Sequence, residues 1–290
     1  MGWVVIIGLV LGGMYALLAQ SFVLTFVTTR TLNFAVGEFV AVGAFATLAV
    51  ASWGWLPTVG KIAIGVLAAA LLGALVYRFL VLPFTTQGEH DVRWLLSTVA
   101  VSFVLLNLMN NVEGPSPQRS ETAKLDGAVD LLGVGVSKQQ LLLAALALVI
   151  SLGLIAVTQR TSIGLVMRAV SQDPDTTSLM GVSPRVVGMG SYAVAMGLAG
   201  LAGILYAANV GASPVMGEPL LVASIAVAIV GGLGSLWGPL VGGALYGVLS
   251  QVASYQWGAV WGETAGLLLV IAVLVWKPEG LLGRRAEVKL

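Results

Sequence analysis

The chain has 290 residues, of which 58% are hydrophobic and 9% charged, and its 14 basic and 13 acidic side chains leave a net charge of +1. A soluble domain carries roughly 45–50% apolar and about 25% charged residues, so this chain has too little polar material to coat a globule. The composition predicts a polytopic membrane protein with no electrostatic basis for binding nucleic acid. Zero cysteines exclude a disulfide framework and any thiolate metal or cluster site, and the one histidine, His90, argues against imidazole-based chemistry.

A spanning helix needs about 20 mostly apolar residues. Nine stretches meet that description: 3–27, 34–52, 60–81, 93–111, 139–158, 185–208, 219–236, 239–256 and 262–276. The first has no basic leader and is too long for a signal-peptide core. The seventh and eighth are separated by Gly231-Gly232-Leu233-Gly234-Ser235 and Gly238-Pro239, so one or both are candidates for broken or re-entrant segments. The expected fold is therefore all-α, a transmembrane helical bundle of about 8–10 spans in one domain covering 1–290. Between spans, 112–138 forms an external loop, 159–184 the longest internal loop, and 277–290 a tail.

Placing 82–92, 159–184 and the tail on the cytoplasmic side puts ten basic residues inside: Arg30, Arg78, Arg93, Arg160, Arg168, Arg185, Lys277, Arg284, Arg285 and Lys289. Four remain outside, Lys61, Arg119, Lys124 and Lys138, in agreement with the positive-inside rule. The C-terminus is then cytoplasmic. Trp53, Trp55, Trp257, Trp261 and Trp276 fall at span ends, as interfacial anchors do.

The chain contains no phosphate-binding loop, no dinucleotide fingerprint and no zinc-protease helix motif. It is not expected to be an enzyme, and any energy it uses must come from another subunit or an ion gradient. In the internal loop, Ile163, Val166, Met167 and Val170 recur at helical spacing and predict a short amphipathic helix. A second begins with Asp173 as N-cap, Pro174 at the first helical position and Asp175 facing the helix dipole, and Gly181 is placed to end it. The two are joined at Ser171-Gln172. Such a loop either docks a partner or packs on its own bundle.

The run Gly164-x3-Arg168-Ala169-x3-Asp173-x-Asp175-x4-Met180-Gly181 resembles the cytoplasmic coupling loop of permease subunits of branched-chain amino acid ABC importers. Gly8-x3-Gly12-Gly13-Met14-Tyr15-Ala16-Leu17 is similar to that family's first helix. Thr31-Leu32-Asn33-Phe34-Ala35-Val36-Gly37-Glu38-Phe39 resembles its N-F-A-H-G-E segment, with Val36 where many members have histidine. Leu198–Tyr206, Val230–Ser235, Gly238-Pro239 and Trp276-Lys277-Pro278-Glu279-Gly280-Leu281-Leu282-Gly283 complete the match in chain order. The resemblance implies the ABC importer permease fold in a prokaryotic inner membrane, and cytoplasmic ATPase subunits docked on the coupling loop. It also implies a second permease subunit that is related but different, an extracytoplasmic substrate-binding protein, and branched-chain or other hydrophobic amino acids as cargo. No cofactor is expected on this chain, because ATP binds on the partner.

Tyr15, Asn33, Gly37, Glu38 and Glu218 are the candidate lining of the substrate path. A carboxylate at the depth of Glu38 commonly costs a few kcal/mol and needs a reason. It could pair with Arg30, bond the backbone of a broken helix, or line the path. The pairs Gly37-Glu38 and Gly217-Glu218 suggest an internal inverted repeat of the kind transporters show. The competing function is a stand-alone, gradient-driven transporter or facilitator of amino acids, urea or amides. That reading would leave the ordered internal loop without a task.

Overall fold

In a computed structural model of the chain the described residues are 2–85, 93–119, 127–131 and 134–283. His90 and the tail residues beyond Gly283 lie outside them. Among the described residues twelve α-helices follow one another: α1 (Gly2–Thr29), α2 (Val36–Ala49), α3 (Thr58–Val76), α4 (Leu82–Thr85), α5 (Arg93–Glu113), α6 (Lys138–Arg160), α7 (Ser162–Gln172), α8 (Pro174–Leu179), α9 (Pro184–Val210), α10 (Gly217–Gly231), α11 (Gly238–Trp257) and α12 (Ala259–Trp276). Among the described residues, seven helical segments are long and apolar enough to cross a membrane. The chain is a multi-pass, helical membrane protein, as its composition requires.

Three details depart from the sequence reading. The second predicted span, 34–52, holds a helix of only 14 residues after a turn at 34–35, about 21 Å long against a hydrocarbon core of about 30 Å. The seventh ends at Gly231 rather than 236, and with the turn at Pro214–Met216 ahead of α10 it forms an 18-residue segment long enough to cross. The external loop holds a β-hairpin, β1 (Ala128–Leu131) paired antiparallel with β2 (Val134–Ser137), in register Ala128 to Ser137 and Leu131 to Val134. Between α3 and α4 the helix continues through a wide turn at Tyr77–Val81. Pro83 has no N–H to offer the Phe79 carbonyl, and such a loss within a helix is relieved by loosening the preceding turn.

The helices gather into two compact units, each discontinuous in sequence. The first comprises 1–23, 126–155 and 222–290. In it α11 packs on α12, and its glycines meet those of α1 backbone to backbone: a Cβ at Gly12 would collide with the Gly243 carbonyl, and one at Gly8 would lie 2.7 Å from Val248 Cα. Small residues allow this approach, and in lipid close packing is what drives helices together. The second unit comprises 24–125 and 156–221, and α9 is its centre, packed along α3 and across α2. At the α2–α9 crossing Gly43 lies against Gly200, and Gly203 against the Val40 carbonyl.

Trp53 and Trp55 stack at 5.8 Å in the connection after α2, and Trp257 meets Trp261 edge-on at 6.4 Å between α11 and α12. All four are exposed at helix ends, where amphipathic rings anchor a bundle in the interface.

Candidate functional site

The second unit brings together two helices that begin inside apolar sequence rather than at its edge. After α1, Arg30 takes a left-handed conformation (φ 57°), the one non-glycine residue to do so among the described residues. Residues 31–35 then run without helical bonding and are fixed by side chains: Thr31 shares a hydrogen bond with the Tyr192 hydroxyl at 2.8 Å, and Asn33 Oδ1 accepts from Ala35 N–H at 3.0 Å. Asn33 is fully buried, with its amide nitrogen 3.4 Å from Met196 Sδ. Both ends of the amide are thus used in starting α2, a structural task.

Gly37 and Gly217, in the first turns of α2 and α10, touch. A Cβ on Gly37 would lie 2.6 Å from the Gly217 carbonyl oxygen, and one on Gly217 would strike the Gly37 carbonyl. The two Gly-Glu pairs noticed in sequence therefore meet in space through their glycines. Glu218 is exposed, whereas Glu38 is 4% exposed. Helix starts carry the positive end of the dipole, which favours carboxylates at these positions.

The clamp between Glu38 and Arg30 does not form. Glu38 Oε1 accepts from Ser102 Oγ of α5 at 3.2 Å, and the Arg30 guanidinium donates to the Ser171 carbonyl of α7 at 3.2 Å. Arg30 is exposed, and a charged group that can reach water and a carbonyl gains little from following a carboxylate into the bundle. Ser102 was missed in sequence. The buried side of α5 is Thr98, Val101, Leu105 and Met109, and Ser102 borders that face, so its helical position was the available signal. Tyr15 belongs to the first unit, where it packs edge-on against Tyr246 at 5.4 Å.

The internal loop folds as its punctuation predicts. Thr161 caps α7, accepting from Gly164 N–H at 3.4 Å, and Asp173 caps α8, accepting from Thr176 N–H at 2.9 Å and from the Thr176 hydroxyl at 2.6 Å. Pro174 opens α8, Asp175 occupies its first turn, and Gly181 (φ 84°) ends it. The helices join at Asp173, since Ser171 and Gln172 complete α7. Gly164 has no room for a side chain, as a Cβ would strike the Thr158 carbonyl. Arg168 Nε donates to the Gly164 carbonyl at 3.3 Å, and Ala169 accepts Asp173 N–H at 3.0 Å.

The apolar stripe of the loop is divided. Val170 is buried, but Ile163 and Leu165 are each 63% exposed, Leu179 87% and Met180 81%. Asp173→Ala removes both bonds to Thr176 and should weaken α8 by about 1 kcal/mol. Hydrogen exchange at the Thr176 and Thr177 amides should quicken while that of α9 stays as it was.

Residues 4–276 match the family described as branched-chain amino acid transport system, permease component. The high-affinity branched-chain amino acid transport system permease protein BraD of Pseudomonas aeruginosa is 26% identical, over 96% of this chain and 94% of that protein. LivH of Escherichia coli, which carries the same description, is 23% identical over 96% of this chain and 94% of its own. LivM, a second Escherichia coli permease protein with that description, is 29% identical over 157 residues, or 51% of this chain and 35% of LivM.

Proposed function

Because this chain belongs to the family of branched-chain amino acid transport system permease components, we propose that it is one permease half of an ABC importer for branched-chain or related hydrophobic amino acids. Its single permease domain spans a prokaryotic inner membrane, with the loop 112–138 outside and the loop 159–184 and tail 277–290 in the cytoplasm. An extracytoplasmic binding protein delivers the cargo. The second permease half is a related but different chain, a reading supported by the similarity of this one to two distinct permease proteins of a single organism.

The observation that carries the coupling is the internal loop. Four large apolar side chains, Ile163, Leu165, Leu179 and Met180, are exposed on two capped helices that the internal-loop reading places in the cytoplasm, an arrangement that costs free energy in water unless a partner covers it. We assign that partner as a cytoplasmic ATPase, held by Gly164, Arg168, Ala169, Asp173, Pro174, Asp175, Met180 and Gly181. ATP binds and is hydrolysed on the ATPase, and this chain needs no cofactor of its own. Closure of the ATPase dimer would push α7 and α8, and Arg30, bonded to Ser171, would pass the movement to the break between α1 and α2. Asn33, Gly37, Glu38 and Glu218, all in the second unit, border the substrate path in this reading.

The test is co-purification in mild detergent from cells expressing the neighbouring genes. Wild type should bring down an ATPase. A variant with Arg168→Glu, Leu179→Asp and Met180→Asp, all at exposed positions that leave the caps intact, should lose it at least tenfold. Absence of an ATPase from wild type, together with uptake by the purified chain alone in liposomes, would replace the importer by the gradient-driven transporter.

A further inference from the structure

Glu38 is a buried carboxylate that the protein satisfies on one side. Oε1 takes the Ser102 hydroxyl, while Oε2 has no hydrogen-bond partner among the described residues. The groups that could have supplied one are committed elsewhere. Arg30 bonds the Ser171 carbonyl, and the Asn33 amide nitrogen points at Met196 Sδ. The neighbouring Gly37 and Gly217 have no side chains to give, and Glu218, in the first turn of α10, adds a second carboxylate to the same meeting of helices. Two acidic groups thus stand where α2 and α10 begin, with no side-chain cation paired to either among the described residues.

A buried carboxylate oxygen without a donor is among the costlier features a membrane protein can keep, and it is kept where a ligand supplies the missing bond. A metal ion is a poor match, because hard cations need six or more oxygens and one open carboxylate oxygen beside a hydroxyl falls far short. An ammonium group fits, as it needs one charged acceptor and gains a strong, directional bond from it. We propose that Glu38 receives the α-ammonium group of the amino acid cargo during passage, with Ser102 holding the carboxylate in position. The assignment rests on the importer reading and gives it a chemical selection: cargo must carry an amine.

The experiment uses the complete importer, with binding protein, both permeases and ATPase, in proteoliposomes. First, ATP-driven uptake of L-leucine by wild type is measured; no uptake overturns the importer reading and this proposal with it. Second, wild type is treated with dicyclohexylcarbodiimide, a lipid-soluble reagent for buried carboxyls, and the adduct at Glu38 is quantified by mass spectrometry. L-Leucine under turnover should slow labelling at least fivefold, while 4-methylpentanoate, which keeps the side chain and carboxylate but lacks the amine, should not. Third, Glu38→Gln should lower the leucine moved per ATP at least tenfold in an intact complex, and Glu38→Asp should restore part of it. Labelling unaffected by leucine, or a Gln variant with wild-type leucine yield, overturns the role of Glu38 and leaves the importer reading standing.

Discussion

Replacing Gly203 by leucine should abolish recovery of the folded protein. At the crossing of α2 and α9 the first added carbon would strike the Val40 carbonyl and lie 2.8 Å from Val40 Cα. These are backbone atoms, so no side-chain rotation can make room. Nor can α2 retreat as a whole, because Gly43 is pressed against Gly200 on the same crossing, and a Cβ at Gly65 of α3 would lie 2.7 Å from the Gly43 carbonyl. Overpacking a core usually costs 1–3 kcal/mol, and a clash of backbone with backbone belongs at or above the top of that range, about 3 kcal/mol or more. Fluorescence-detected size exclusion should show the monodisperse peak lost for Gly203→Leu and much reduced for Gly203→Ala. Gly190, on the same helix, has open space around its Cβ position, and Gly190→Leu should elute as wild type does. Equal recovery of both leucine variants would show that the α2–α9 crossing does not limit folding.

That contrast marks how far the sequence could be read. A helix rich in glycine is legible, as is the rule that small residues bring backbones together in lipid. Which glycine meets which carbonyl is not, because the partner of Gly203 is set by where α2 crosses α9, which no local sequence marks. The nine apolar stretches correspond to nine helices because hydrophobic length is a strong local signal. The break before α2 falls in the gap that the apolar stretches leave between 27 and 34, but what fixes its shape is long-range, the bond from Thr31 to Tyr192, together with the turn made by Asn33. The internal loop was legible almost residue by residue, since caps act over three or four positions and Asp173, Pro174 and Gly181 each have one strong local preference. Its exposed face was less so: Ile163 belongs to the periodic stripe and yet is exposed, and only Val170 of that stripe is buried. For the site itself, two Gly-Glu pairs 180 positions apart could be noticed but not joined. Their contact depends on where α2 and α10 begin, and neither start is marked by a side-chain cap.

The closing motif of the chain carries the other large effect. The α10 helix ends at Gly231 in a buried position, where its last carbonyls need donors, since a buried backbone group left unsatisfied costs about 1–3 kcal/mol. The segment after α12 supplies them: Leu281 N–H donates to the Val230 carbonyl at 2.8 Å and Leu282 N–H to the Gly231 carbonyl at 2.9 Å. Lys277 Nζ closes the loop on its own Leu281 carbonyl at 2.8 Å. The approach requires left-handed glycines on both sides, Gly232 at φ 101° and Gly280 at φ 80°, and a Cβ at Gly280 would lie 2.6 Å from Gly232 Cα. Gly280→Val combines that contact with a conformation that β-branched residues avoid, and should cost about 3 kcal/mol or more. The melting temperature in detergent should fall by about 10 °C. Exchange at the Leu281 and Leu282 amides should rise by at least tenfold, while the Leu165 amide in α7 keeps its wild-type rate. Gly280→Ala should show most of the same loss, because the opposing atoms are backbone. Unchanged melting and exchange in Gly280→Val would mean that the α10 carbonyls find other donors and that the motif does not hold the end of that helix.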